Sequence, residues 1–224
     1  MDEQNQTQVA APTGEARSAG IYVLAAHPNW RDSRVNRRAR DAAHALAGVL
    51  VCDLYDRYPD YCVDIAAEQA KLAAASLLVL MHPIQWYSMP ALQKLWIDDV
   101  LTYGWAYGEE GTALRGKDLW LVATTGGPES SYHPQSYNRY FFDAFLPPYE
   151  QTAALCGMRF LPPLILHAAH SAPEADIAAH INTLRERLTS YPEWPEIEAL
   201  GECPTCEVPT ADRPHEEQTE AEKA

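Results

Sequence analysis

Residues 76–99 read SLLVLMHPIQWYSMPALQKLWIDD, and the fold follows from where the pattern in this stretch changes. Ser76 to Met81 is a short apolar run with no polar alternation, as expected of a strand buried on both faces of a parallel sheet. Pro90 suits the first turn of a helix, where a missing N–H costs nothing. The residues after it, Leu92, Leu95, Trp96, Val100 and Leu101, keep one apolar face at helical spacing. Between strand and helix lies HPIQWYSM, which places a histidine, a glutamine and two large aromatics at the end of a parallel strand. In open α/β sheets that edge is where ligands bind.

Four further units of the same kind flank this one. Ile21 to Ala26 is a short apolar strand, followed by HPNWRDS and a helix with Val35, Ala39, Ala42, Ala43 and Leu46 on one face. Ser33 is the expected N-cap of that helix and Gly48 its expected stop. Val49 to Tyr55 reads as a second strand, and Asp64 to Ala75 as a helix leading into the central strand. Beyond the central helix, GWAYGEEGTALRG spaces its glycines GxxxGxxG after a helix, not after a strand. It therefore matches neither the dinucleotide fingerprint nor the P-loop. Asp118 to Thr125 is a fourth strand, ending in TTGGPESSYHPQSYN. The composition predicts a helix over Arg139 to Cys156, broken or bent at Pro147 and Pro148. Pro162 to His167 is a fifth strand, and Pro173 to Tyr191 a closing helix with Ile177, Ile181, Leu184 and Leu188 on one face.

Five strands separated by helices predict a doubly wound α/β domain with a parallel sheet covered on both faces, because right-handed crossovers between parallel neighbours need a helix. The expected order is the flavodoxin-like 2-1-3-4-5, with its switch point between strands 1 and 3, so that the loops after strands 1, 3 and 4 meet in one crevice. The domain is expected over residues 20–198. Residues 1–19 and the acidic stretch 199–224 are expected to be disordered tails, since they hold too few large apolar groups to offset ordering entropy.

The formal charge is −14. Seven acids and two bases fall in 199–224, and three acids and one base in 1–19, leaving −7 on the domain. A field of that sign repels nucleic acid and anionic lipid. Arg34, Arg37, Arg38 and Arg40 lie around a single helix and form no patch, so no nucleic-acid partner is expected. The first twenty residues lack a basic start and an apolar core, and no apolar run nears the roughly 20 residues of a membrane span. The expected location is the cytoplasm. Five scattered cysteines suit reduced thiols better than a disulfide framework. Cys203 and Cys206 form CPTC without the second pair that a zinc site needs, and no metal ligands are assigned.

The three loops at the shared edge each offer a different part of a flavin mononucleotide (FMN) site. The first supplies His27, a hydroxyl at Ser33, an asparagine at Asn36 and the free N–H groups of a helix start, which suit a phosphate dianion. The second, Ile84, Gln85, Trp86 and Tyr87, would line the isoalloxazine, its backbone meeting the polar edge of the flavin and its rings walling it from water. The third, Thr124, Thr125, Gly126 and Gly127, permits close backbone approach to a flat ring because glycine has no Cβ.

AHPNWRDSRVNRRA, MHPIQWYSMPALQKLWIDDVLTYGWAYG, LRGKDLWLVATTGG and CGMRFLPPLILH occur in that order. Together they resemble the flavodoxin-like NAD(P)H dehydrogenases of the DT-diaphorase superfamily, above all the quinone-reductase ancillary subunits of glutathione-gated, Kef-type potassium efflux systems. The resemblance spans roughly residues 20–190. It implies a homodimeric enzyme that binds FMN without a covalent bond and carries two electrons from NADH or NADPH to a quinone by a ping-pong cycle, in partnership with a membrane potassium antiporter. On the family's pattern the FMN contacts fall on His27, Ser33, Arg34, Val35, Asn36, Ile84, Gln85, Trp86, Tyr87, Thr124, Thr125, Gly126 and Gly127. The family's charge-stabilising tyrosine corresponds to Tyr132. Asn138 stands where its partner histidine falls, with His133 beside the tyrosine, so Tyr132 and His133 are the candidate catalytic residues. A second role, of a different class, is a regulatory subunit that docks on the antiporter with little or no turnover.

Overall fold

The computed structural model describes residues 20–200. Its sheet is built from β1 (Ile21–Ala25), β2 (Val49–Asp53), β3 (Leu77–Pro83), β4 (Asp118–Thr124) and β5 (Arg159–Leu166), all parallel, in the order β2-β1-β3-β4-β5. The connecting helices are α1 (Asn36–His44), α2 (Leu54–Arg57), α3 (Ile65–Ala74), α4 (Ala91–Val100), α5 (Pro147–Leu155), α6 (Glu174–Ser190) and α7 (Pro195–Leu200). This is the expected flavodoxin-like topology.

Strand periodicity divides the core in two. Tyr22, Leu24, Leu78, Leu80, Leu119 and Leu121 pack with Leu72 of α3, Leu92 and Trp96 of α4 and Tyr149 of α5. Ile21, Val23, Leu77, Val79, Met81, Trp120 and Val122 pack with Ala39 and Ala43 of α1, Leu184 and Leu188 of α6, and Trp194 and Ile197 around α7. Burial on both faces explains why β1, β3 and β4 read as unbroken apolar runs.

Several boundaries differ from the sequence-based expectation. β3 continues through His82 and Pro83, so the histidine is a strand residue inside the core. β2 stops at Asp53, whose side chain accepts from the Asp56 amide and turns the chain into α2. The helix expected over 139–156 does not run that length. Residues 142–145 form one 3-10 turn, and α5 begins at Pro147. The two prolines open the helix because its first turn needs no N–H donors. β5 begins three residues earlier than expected, and α7 was not anticipated. Ser33 is not the residue flanking α1. Val35 is, while Ser33 Oγ accepts from the Arg37 amide at 3.1 Å. The CPTC segment and the residues on either side of 20–200 lie outside the described residues.

Two buried carboxylates tie the layers together. Glu68 of α3 accepts from Tyr22 Oη, Tyr58 Oη (2.7 Å), Trp96 Nε1 (2.9 Å) and Lys71 Nζ (2.6 Å). Asp118, at the start of β4, receives Arg159 in a bidentate pair (2.7 and 3.0 Å) and Tyr191 Oη (2.7 Å). Each satisfies the rule that a buried charge survives only when paired and hydrogen-bonded.

His82 gives a pH test of the packing. Its ring is fully buried, stacks on Tyr149 with centroids 5.8 Å apart, and contacts the Pro83 carbonyl through Nδ1. Burial lowers its pKa to about 4, against a smaller upward pull from that carbonyl. The folded state therefore binds fewer protons than the unfolded chain below the ordinary value of 6.5, and stability is lost as pH falls from about 6.5 toward 4. His180, also buried and also held at about 4, acts with the same sign. His82→Phe keeps the ring stack and removes the proton site. Urea unfolding at pH 7 and pH 5 is expected to show the variant losing about 2 kcal/mol less than the parent. Equal losses in the two proteins would refute this.

Candidate flavin crevice

The loop after β1 starts at Ala26, whose amide still bonds Met81 of β3. His27 follows, half-buried, with Nδ1 accepting from the Asn29 amide at 3.1 Å. That bond leaves the proton on Nε2, free to donate. Burial keeps the His27 pKa below its ordinary value, against the pull of Asp32 and Asp53. A 3-10 turn at Trp30–Asp32 then delivers Ser33 and the start of α1. Among the described residues the amides of Arg34, Val35 and Asn36 have no acceptor, which is the donor array of an open helix start. The side chains of Arg34 and Asn36 are engaged elsewhere. Arg34 holds the His170 carbonyl (2.9 Å) and Glu174 (2.8 Å), clamping the β5–α6 connection. Asn36 Nδ2 donates to Thr124 Oγ1 at 2.8 Å. Both residues thus face an anion through their backbone.

After β3, Ile84 donates to the Thr124 carbonyl at 2.7 Å, and Gln85 and Ser88 exchange both backbone bonds (2.9 and 3.0 Å). The two residues between them, Trp86 and Tyr87, have φ of 47° and 64°. This is a two-residue reverse turn of the kind normally filled by Asn-Gly, here occupied by two aromatics in the left-handed region, each at a cost of order 1 kcal/mol. Tyr87 stacks on Phe145 (5.1 Å) and bonds Asn138 Oδ1 at 3.4 Å. Trp86 is 93% exposed, so its ring lies outside the core of this chain. Strain without local packing marks a position kept for something other than stability. Trp86→Asn is expected to raise the unfolding free energy by about 0.5–1 kcal/mol, measured by urea titration. No gain would mean that the turn is not strained.

After β4, Thr125 is buried, and its Oγ1 donates to the Gly127 carbonyl (2.7 Å). Gly126 and Gly127 both avoid positive φ. Gly127 is needed for space: a Cβ there would lie 2.7 Å from Ser131 Oγ and 2.8 Å from Tyr137 Oη, whereas at Gly126 it would meet only His170 at 3.8 Å. Tyr132 is buried among Phe142, Phe145 and His167 (ring centroids 5.3, 6.0 and 5.4 Å). Burial raises its pKa, and the Thr125 hydroxyl opposes that rise. His133 is exposed, its ring edge-on to Phe141, and it is not brought to Tyr132. Asn138 bridges Ser131 Oγ (2.8 Å) and Tyr87.

Thr124 joins these segments: its hydroxyl accepts from the first loop, its carbonyl from the second, and its own chain continues into the third. The structure therefore brings Ser33–Asn36, Ile84–Tyr87 and Thr124–Gly127 to one edge, with Tyr132 beside them. Sequence reasoning missed His167, at the end of β5 beside Thr125 and Tyr132. The available signal was topological, because β5 ends at the same edge as the other loops.

A doubly wound parallel sheet whose switch-point loops carry unbonded helix-start amides, a strained aromatic turn and a tightly packed glycine presents these groups at the edge where open α/β sheets receive ligands. The chain belongs to the flavodoxin-like family, whose model matches residues 19–188. It is 43% identical over 173 residues to the glutathione-regulated potassium-efflux system ancillary protein KefF of Klebsiella aerogenes, covering 77% of this chain and 97% of that protein. Three solved structures align along the domain. The general stress protein 14 of Treponema denticola, solved with FMN, is 33% identical over 81% of this chain and 99% of its own, with a TM-score of 0.68. A Klebsiella pneumoniae protein described provisionally as a quinone reductase is 25% identical over 78% and 85%, with a TM-score of 0.66. A chain reported as a thermophilic tryptophan halogenase from Streptomycin violaceusniger is 38% identical over 75% and 97%, with a TM-score of 0.72.

Proposed function

We propose that this protein is an FMN-dependent NAD(P)H:quinone oxidoreductase, acting as a homodimer in the cytoplasm. The observation that carries the reading is the pinning of all three loops on Thr124, with the unbonded amides of Arg34, Val35 and Asn36 at one end of the crevice. The residues fit FMN. Those amides, the Ser33 hydroxyl and the His27 Nε2–H would hold the phosphate. The backbone of Ile84–Tyr87 would meet the ring edge, and the backbone of Gly126 and Gly127 would lie along the ring, with the Cβ side of Gly126 left open. FMN supplies hydride and electron chemistry when bound, and the protein supplies orientation and electrostatics.

Tyr132 is the group placed to answer charge developing in the crevice, as a buried phenol whose raised pKa keeps its proton at neutral pH. Exposed His133 sits where it would exchange protons with water. The likeness to quinone-reductase and FMN-bound structures supports the substrate class, and the halogenase likeness shows that the fold alone does not decide activity. The deciding experiment is reconstitution with FMN followed by reduction with NADH and with NADPH and reoxidation by a quinone. Protein that stays colourless, or bound flavin that neither nucleotide reduces, would overturn the proposal.

The similarity to KefF supports a second role, compatible with the first, as the ancillary subunit of a membrane potassium antiporter. Among the described residues no helix is long and apolar enough to cross a membrane, so membrane association would come through that partner. Co-purification with the antiporter tests it, and full transport activation in the absence of this chain would refute it.

A further inference from the structure

Three polar groups converge on the side of Gly127 that lacks a Cβ. An added Cβ would lie 2.7 Å from Ser131 Oγ, 2.8 Å from Tyr137 Oη and 3.6 Å from Asn138 Nδ2. The chain returns to this point because the Asn138 amide donates to the Ser131 carbonyl at 3.3 Å, and the Arg139 amide to the Ser136 carbonyl at 3.2 Å. Arg139 closes the fold-back with φ of 61° although it carries a Cβ. A strained residue of that kind persists only where its surroundings over-determine it. The tip of Tyr137 is thus held against the Gly127 backbone, while 70% of the residue stays exposed.

The protons of the neighbouring groups are already assigned. Ser131 Oγ donates to the Pro128 carbonyl at 2.6 Å, and a hydroxyl has one proton, so Ser131 accepts from Asn138 Nδ2 at 2.8 Å. That sets the amide and leaves Asn138 Oδ1 toward the Tyr87 phenol, 3.4 Å away. Tyr132 is buried among Phe142, Phe145 and His167. Tyr137 differs from both. Among the described residues its hydroxyl has no hydrogen-bond partner, so its proton is available to a ligand at the crevice.

We propose that Tyr137 is a substrate-binding residue whose phenol donates a hydrogen bond to a carbonyl oxygen of the electron acceptor. The proposal rests on the quinone-reductase reading, in which a flat ring lies along Gly126 and Gly127, and it names what the site recognises in its acceptor. Two-electron reduction of a quinone adds a hydride and one proton, and negative charge gathers on the oxygen that Tyr137 meets. Tyr137 keeps its own proton and stabilises that charge. Water, which reaches the exposed phenol, supplies the proton that the product needs. The bonds from Asn138 to Ser131 fix the loop that carries the phenol.

The first test needs no turnover. In FMN-loaded protein without nucleotide, carrying 13Cζ-labelled tyrosine, the resonance missing from Tyr137→Phe identifies Tyr137. It is expected to shift on titration with duroquinone, a quinone with no open ring position for a thiol to attack. The dissociation constant for duroquinone is expected to rise about fivefold in Tyr137→Phe, as for one lost neutral hydrogen bond. A Tyr137 resonance unmoved by saturating duroquinone, or equal dissociation constants, overturns the proposal.

The second test separates a contact with the carbonyl from a general disturbance. After reduction by NADH, reoxidation by duroquinone in stopped flow is expected to slow about fivefold in Tyr137→Phe. Reoxidation by ferricyanide, which offers no carbonyl, should be unchanged, as should FMN affinity. Equal slowing with both acceptors would make Tyr137 a structural residue and refute the proposal. Wild-type protein whose Tyr137 resonance answers duroquinone but whose FMN no nucleotide reduces would remove the oxidoreductase reading and leave the contact standing. Wild type and Tyr137→Phe that reduce duroquinone alike would remove the contact and leave that reading standing.

Discussion

Glu68→Ala is expected to lower the unfolding free energy by about 3–5 kcal/mol, the largest stability effect of any single substitution proposed for this chain. The carboxylate is fully buried and receives four donors, from β1, α4, the α2–α3 connection and its own helix. Removing it leaves two phenols, an indole N–H and an ammonium facing a void, and each unmet donor retains its desolvation cost. Against a typical total of about 5–15 kcal/mol, the melting temperature should fall by about 10 °C. Asp98→Ala, which breaks the exposed i,i+4 pair with Lys94, is the control and should cost less than about 0.5 kcal/mol.

The network also sets an acid limit. Burial pushes the Glu68 pKa up, but the hydrogen bonds from Lys71, Tyr22, Tyr58 and Trp96 outweigh it and leave the carboxyl below its ordinary 4.5. A depressed carboxylate contributes stability that is whole above the unfolded value and lost as pH falls through the folded one. Its loss therefore begins as pH falls below about 4.5, at the lower end of the window in which His82 and His180 act. Urea titrations at pH 7 measure the first effect. A loss under 1 kcal/mol there would show the network to be loosely made.

The largest functional effect is expected from Ser33→Asp, which should weaken FMN binding at least about 100-fold. Ser33 is buried at the start of α1, and its hydroxyl already accepts from the Arg37 amide. A carboxylate there would take over that bond and favour the helix start, so the fold should survive. The same charge would face the phosphate dianion, and two like charges about 4 Å apart repel by about 4 kcal/mol at an effective dielectric near 20. Riboflavin, which lacks the phosphate, should lose no more than about threefold, separating charge repulsion from distortion of the loop. Fluorescence titration with both flavins checks this. Unchanged FMN affinity would place the phosphate elsewhere.

The sheet and its order were legible because strands buried on both faces leave continuous apolar runs, and because the helices between them admit few topologies. The crevice loops were legible for the same reason, since each follows such a run. The segment 139–156 misled because Pro147 and Pro148 look like breakers inside a helical composition, when they are its first turn. Glu68 reads as a surface acid until it is placed on one face with Leu72 and Ala75, four and seven residues on. The left-handed pair Trp86–Tyr87 carried no signal at all, since the residues that favour that conformation are absent. His167 was hidden because a histidine after a strand has no local pattern; only its neighbours across the sheet give it a partner.

The triple engagement of Thr124 bears on how a ligand would be received. Loops that hang separately must be ordered when a ligand arrives, and affinity falls by that entropy. Here one residue in the sheet's own hydrogen-bond ladder fastens two of the loops and begins the third, so the receptor is already assembled. Cofactor capture should then register as added thermal resistance that grows with the logarithm of flavin concentration, with no change in secondary structure. The same economy implies a weakness: losing the Thr124 hydroxyl would loosen the first loop from the crevice while the sheet that carries it remained intact.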